Sequence, residues 1–135
     1  MDLIEQLTRD EGSRSRAYVD TVGKITVGVG RNLSDVGLSE SEIQYLLAND
    51  ITRVRSQLIG FSWFQGLDEI RQGALINLTF NIGIGSLLHF VTAIHYLSVK
   101  DYVNSAAAFL DSVWAKQTGD RAIRLARQLE TGEWQ

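Results

Sequence analysis

A chain of 135 residues, 44% hydrophobic and 21% charged, is long enough to bury a core and has the balance of a folded globular domain, not a disordered one. Its formal net charge of −3 excludes the basic balance that nucleic-acid phosphates demand. With no cysteine, disulfides and thiolate metal sites are excluded, and the two histidines, His89 and His95, are too far out of helical phase to share a face, so no metal or cofactor is expected.

The first element is a helix over residues 2–11, where Leu3, Ile4 and Leu7 recur at helical spacing and Gly12 stops the run. From Ser13 to Asn32 the period drops to two: Ile25, Val27 and Val29 alternate with Thr26, Gly28 and Gly30 after a Thr21-Val22-Gly23-Lys24 turn, the signature of a hairpin or small meander. Ser39 and Glu42 have capping-box spacing, and behind them Ile43, Leu46, Leu47, Ile51, Val54 and Leu58 trace one long helical stripe. The loop Phe61-Ser62-Trp63-Phe64 offers either a sugar platform or satellite core, and core is the commoner fate of such aromatics. Helices follow from about Asp68 through Ile82, as one or two shorter pieces between Ser86 and Asp111, and from Asp120 to Thr131, with Gly132 closing the last. Lys116, Arg121, Arg124 and Arg127 cluster near the end, most simply as a solvated helix face.

The pattern predicts an α+β fold, predominantly α, in one domain. A small β lobe (about 12–38) is joined by a linking helix (about 39–58) to a helical lobe (about 59–135), on which helix 2–11 packs. A groove between lobes is a common substrate site. No repeat, proline-rich linker or membrane-length apolar run interrupts the chain, and Met1-Asp2-Leu3-Ile4-Glu5 does not read as a secretory signal, so neither membrane insertion nor export by the chain's own leader is expected.

Among 16 acidic residues, Glu11 is set apart by position. It continues the Leu3-Leu7 stripe at i+8, which predicts that it points inward, and it sits in the last helical turn, where the macrodipole disfavours an anion. Both effects favour a carboxyl that keeps its proton near neutral pH. Asp20 opens the turn into the Ile25 strand, and Thr26 lies on the face opposite Ile25, Val27 and Val29; if those three cover the lobe's core, Thr26 faces the groove. An acid, a second carboxylate and a hydroxyl able to hold a water are what hydrolysis of a glycosidic bond requires. Taken singly, Glu11 reads as a solvated helix end and Asp20 as a turn residue. Gly28 and Gly30 leave room for a bulky sugar; as a dinucleotide loop the run fails, because Leu33 stands where the third glycine is needed.

The run DEGSRSRAYVDTVGKITVGVGRNL, residues 10–33, resembles the catalytic region of the T-even phage lysozyme family, glycoside hydrolase family 24, with its E-G, Y-x-D and G-x-x-T-x-G-x-G pattern. The resemblance continues through GALINLTFNIG (73–83), SVWAKQTGDRAIRL (112–125) and TGEW (131–134). It implies a lysozyme-like fold and a muramidase that cuts peptidoglycan glycan strands between N-acetylmuramic acid and N-acetylglucosamine. Glu11 is then the acid, Asp20 the water-activating carboxylate and Thr26 the residue that positions the water. Gly30 and Phe80 line the groove, Asn32 contacts substrate at its edge, and Gln117 and Arg121 sit beside the acid. Asn77 and Trp114 match positions of packing and core hydrogen bonding.

A water held between the two carboxyl groups implies the wider separation of inverting enzymes, roughly 6.5–9.5 Å against roughly 5–5.5 Å for a direct nucleophile. The sequence departs from the family in its short Leu33–Ser39 connection, in Arg31 and Asn32 where the family has histidine and leucine, and in Ala93 and Ala108 where longer members place polar substrate contacts. The resemblance also implies a monomer that waits in the host cytoplasm until a holin opens the membrane. The rival readings are a lytic transglycosylase acting on the same bond through the glutamate alone, and a silent wall-binding or virion module.

Overall fold

Asp2 starts the first helix, α1 (Leu3–Glu11), by a reciprocal cap: its carboxylate accepts from Glu5 N at 2.8 Å while Glu5 Oε2 accepts from Asp2 N at 3.0 Å. At the other end Gly12, with φ +77°, donates to Thr8 O and turns the chain out of the helix. The computed structural model describes residues 1–135, which divide into two compact units, 1–46 and 47–135, with the boundary inside the long helix α2 (Glu40–Leu58).

In the first unit, β1 (Arg14–Val19), β2 (Ile25–Gly28) and β3 (Arg31–Asn32) form an antiparallel sheet in sequence order. Tyr18 pairs with Thr26 and Thr26 with Asn32, whereas Arg14 pairs with Gly28, so β1 carries extra residues between Arg14 and Tyr18 as a bulge. The β1–β2 turn is set by Asp20, whose Oδ1 accepts from Val22 N at 2.9 Å and Lys24 N at 2.8 Å. The alternation of residues 25–30 ends at Gly28, because Gly28 and Gly30 both adopt φ +67° to form the tight β2–β3 turn.

Two expectations about this unit are corrected. Thr26 is the buried residue of β2, 4% exposed, while Ile25 is 49% and Val29 43% exposed. On the other face Val19 and Ile25 lie open and only Val27 is half-buried, whereas Thr26 has a strand partner on either side, Tyr18 and Asn32. Likewise α1 buries none of its residues, so the Leu3-Leu7 stripe does not carry Glu11 inward; Glu11 is exposed. Strands of six, four and two residues are too small to cover a helix face.

The Ser39–Glu42 cap of α2 forms as its spacing predicts: Ser39 N donates to Glu42 Oε1 at 3.0 Å and Glu42 N to Ser39 Oγ at 3.2 Å. Of its apolar stripe, Val54 and Leu58 enter the core of the second unit. There follow α3 (Ser62–Gln65), α4 (Glu69–Ile82), α5 (Ile84–Leu87), α6 (Val91–Ser98), α7 (Tyr102–Leu110), α8 (Val113–Thr118) and α9 (Asp120–Thr131). Phe64 is fully buried and Phe61 stacks on Trp63 with ring centroids 5.2 Å apart against the core, so these aromatics are core and not a sugar platform. Two helices, α6 and α7, lie between Ser86 and Asp111 as expected, the short α5 begins ahead of them, and Ala93, which the family resemblance puts at a substrate edge, is 1% exposed within α6.

The core is built where α9 packs against α4 and α7. Ala122, Leu125, Ala126 and Leu129 recur at i, i+3, i+4 and i+7 on α9 and are all buried. α4 is buried more broadly, at Ala74, Leu75, Ile76, Leu78 and Thr79, the last returning its hydroxyl to Leu75 O at 2.7 Å. Each buried side-chain polar atom has a hydrogen-bond partner. No helix is long and apolar enough to cross a membrane.

Candidate active site

Glu11 is the last residue of α1, and the φ +77° of Gly12 lets the chain fold back at once into β1. The Glu11 carboxylate reaches the β2–β3 turn at Gly30. A Cβ at Gly30 would stand 3.1 Å from Glu11 Oε2 and 3.3 Å from its Cδ, so glycine suits the close approach as well as the positive φ.

Asp20 and Thr26 belong to the same sheet. Both turn bonds of the Asp20 side chain fall on Oδ1, which fixes the carboxylate and leaves Oδ2 for another donor. Thr26 Oγ1 donates to Lys24 O at 3.3 Å, a long bond that barely commits the hydroxyl. The backbone of Lys24 thereby meets both side chains, its N–H donating to Asp20 and its carbonyl accepting from Thr26. A fixed carboxylate and an adaptable hydroxyl joined through one turn are suited to orienting a water molecule between them.

Asn32 stands opposite Thr26 on β3, but its amide is engaged locally: Oδ1 accepts from Asp35 N at 3.0 Å and Nδ2 donates to Asp35 Oδ2 at 3.1 Å. Its neighbour Arg31 reaches from β3 to the start of α2, with Nη1 2.6 Å from Glu42 Oε2 and also donating to Gly37 O. The Arg31 hydrogen bond, followed by those of Ser39, holds the Glu42 carboxyl down at about 2. Arg31 thus replaces the family's histidine with an ion pair that ties the sheet to the helix after it.

In the second unit, Phe80 on α4 and Arg121 on α9 line one pocket of about 390 Å³, together with Ile51, Ile76, Asn77 and Trp134. Asn77 Oδ1 accepts from Arg121 Nε at 3.0 Å and from Nη2 at 2.8 Å. Asn77 is exposed and serves the arginine, a role that the packing assignment missed. Trp134 is a second residue missed as pocket lining: a Cβ on Gly73 would stand 2.6 Å from its Cη2, so the indole rests on the one bare stretch of α4. Trp114 donates its indole N–H to Asn81 Oδ1 at 2.8 Å and meets Phe90 edge to face, which is packing. Gln117, on the short α8, is exposed and is not among the residues lining that pocket. The structure therefore groups Glu11 with Gly30, Asp20 with Thr26 and Asn32, and Phe80 with Arg121. No group of three or more His, Asp or Glu side chains converges as a metal cage would.

The sequence profile of the phage lysozyme family matches residues 8–130 of this chain. The endolysin of Salmonella phage P22 is 32% identical, over 93% of this chain and 88% of its own length. A probable T4-type lysozyme 1 of Dictyostelium discoideum is 27% identical over 95% of this chain and 93% of its own. The pre-baseplate central spike protein Gp5 of Enterobacteria phage T4 is 27% identical over 98% of this chain, which spans 28% of that longer protein.

Proposed function

The chain belongs to the phage lysozyme family and is a glycoside hydrolase of the lysozyme type, and from that premise we propose that Glu11, Asp20 and Thr26 carry its chemistry. The bond cut is the β-1,4 link from N-acetylmuramic acid to N-acetylglucosamine in peptidoglycan. Glu11 protonates the leaving oxygen, Asp20 takes a proton from water, and Thr26 orients that water for attack on the opposite sugar face. Gly30, Asn32, Phe80, Gln117 and Arg121 bind the glycan.

The observation that carries this reading is the Glu11 carboxylate laid against the bare Gly30, in the same three-stranded unit as an Asp20 carboxylate fixed on one oxygen. A residue serving only to end a helix has no need of glycine opposite it. Likeness to the P22 endolysin supports a role in host cell lysis, and we infer in addition that the enzyme is a monomer and reaches the wall after a holin opens the membrane.

Mass analysis of fragments from purified peptidoglycan tests substrate, bond and mechanism together. Reducing ends on N-acetylmuramic acid are expected. Ends lighter by one water, the 1,6-anhydro product of a transglycosylase, would overturn the water-based reading. Glu11→Gln keeps shape but cannot donate a proton, so turnover is expected to fall by about 10²–10⁴ with the fold intact. Retention of a tenth of the activity sinks the assignment of the acid.

A further inference from the structure

Arg121 is gripped along one edge. Asn77 Oδ1 accepts from both Nε and Nη2, at 3.0 and 2.8 Å, and the Asn77 backbone carbonyl lies 3.4 Å from Nη2. Because a guanidinium only donates, the amide must present its oxygen here and not its nitrogen. None of these contacts uses Nη1. The guanidinium is planar, so fixing two of its nitrogens fixes the plane and the direction of the third.

The chemistry of the grip matters as much as its geometry. A carboxylate at position 77 would hold the same edge and cancel the charge; a neutral amide holds it and leaves the charge in force. The half-buried guanidinium lines a pocket whose other walls include Arg55, Ile76, Phe80 and Trp134 and no carboxylate, where a cation acts more strongly than in open water.

We propose that Asn77 is a positioning residue for Arg121: its neutral oxygen pins the Nε–Nη2 edge and thereby aims the Nη1 edge, with its charge intact, at an oxygen acceptor of the glycan. This rests on the substrate-binding role given to Arg121 above. Asn77 itself need not touch substrate.

The test is a double-mutant cycle on purified peptidoglycan, with kcat, KM and melting temperature measured for Asn77→Ala, Asn77→Asp, Arg121→Ala and the double variant Asn77→Ala/Arg121→Ala. Asn77→Ala is expected to lower kcat/KM about tenfold, the size of a lost charge-assisted contact. In the Arg121→Ala background it should lower it no further, because the residue through which it acts is gone. Asn77→Asp is expected to melt no lower than wild type yet to raise KM, since the arginine is held but neutralised. A merely structural Asn77 would give the same loss in both backgrounds, or a lower melting temperature with unchanged kcat/KM; either result overturns the proposal, as does wild-type KM in Asn77→Asp. Full activity in Arg121→Ala would instead remove the substrate role of Arg121, and this proposal with it. No digestion by the wild-type protein would overturn the muramidase reading itself.

Discussion

The Glu11 carboxylate stands over the bare side of Gly30, with 3.1 Å between Oε2 and the place where a Cβ would be. Gly30→Ala therefore does two separable things. It forces alanine into φ +67°, which costs roughly 1–2 kcal/mol, and it makes the Glu11 carboxylate give way slightly. Misplacement of a catalytic group by about 1 Å can cost ~10²-fold, so the smaller shift here is expected to lower kcat/KM severalfold, while denaturation shows only the modest strain. Activity that falls no further than the melting temperature explains would count against a role for this contact.

The Arg31–Glu42 pair gives the acid limb of stability a defined sign. The Glu42 carboxyl lies at about 2 in the folded protein against 4.5 for the free group, held down first by the Arg31 hydrogen bond and then by those of Ser39. Its contribution is complete above pH 4.5 and is lost as pH falls from there through 2. Glu42→Gln keeps a side chain able to complete the cap but removes the charge. Melting temperature plotted against pH should thus fall more steeply between 4.5 and 2 in the wild type than in Glu42→Gln. Parallel curves would show that the pair is screened to nothing at the surface.

The elements that could be read from the sequence are those whose ends carry their own chemistry. Ser39 and Glu42, Asp68, and Gly132 at φ +71° fix the limits of α2, α4 and α9 by local hydrogen bonds and backbone conformation. The α3 and α8 helices, of four and six residues, are too short to show a period and were missed. Alternation in β2 revealed two faces but not which one is covered, since that depends on Tyr18 and Asn32 across the strands. Of the candidate site, Glu11, Asp20, Thr26 and Gly30 lie within twenty residues of each other and stand out as a pattern. Asn77 and Arg121 are 44 residues apart, and nothing in either neighbourhood announces their pairing.

Arg71 was equally silent in the sequence and is the clearest polar anchor of the helical unit. Its Nε donates to Leu129 O at 2.6 Å and Nη2 to Glu130 O at 3.0 Å, closing the end of α9, while Nη1 meets Asp68 Oδ2 at 2.8 Å. The guanidinium also lies 3.8 Å from the Tyr102 ring centroid. Burial pushes the Asp68 carboxyl up, but the Arg71 N–H and guanidinium outweigh it and leave it lowered. Arg71→Ala removes a side chain only 16% exposed and strands two helix-end carbonyls, so a loss of ~2–3 kcal/mol in denaturant unfolding is expected. Arg71→Lys should recover less than half, because one ammonium cannot span the same fork. Full recovery by lysine would reduce Arg71 to a simple charge.

The water-activating roles of Asp20 and Thr26 predict inversion at the anomeric carbon. Thr26→Val is a favourable probe because the hydroxyl's bond to Lys24 O is 3.3 Å long, so removing it should cost at most about 1 kcal/mol of stability. If that hydroxyl anchors the water, kcat falls while KM barely moves, since the shape of the site is kept. Asp20→Asn preserves an oxygen able to accept from Val22 and Lys24, so the turn survives. What it loses is the base, and the negative charge that supports an oxocarbenium-like transition state. Turnover should therefore collapse in a protein that still folds. Proton NMR of the first product, recorded before mutarotation, reads the stereochemistry directly, and a β-linked substrate should release the α anomer. Initial appearance of the β anomer, or a glycosyl group trapped on Asp20, would make Asp20 a nucleophile and leave Thr26 with no water to hold.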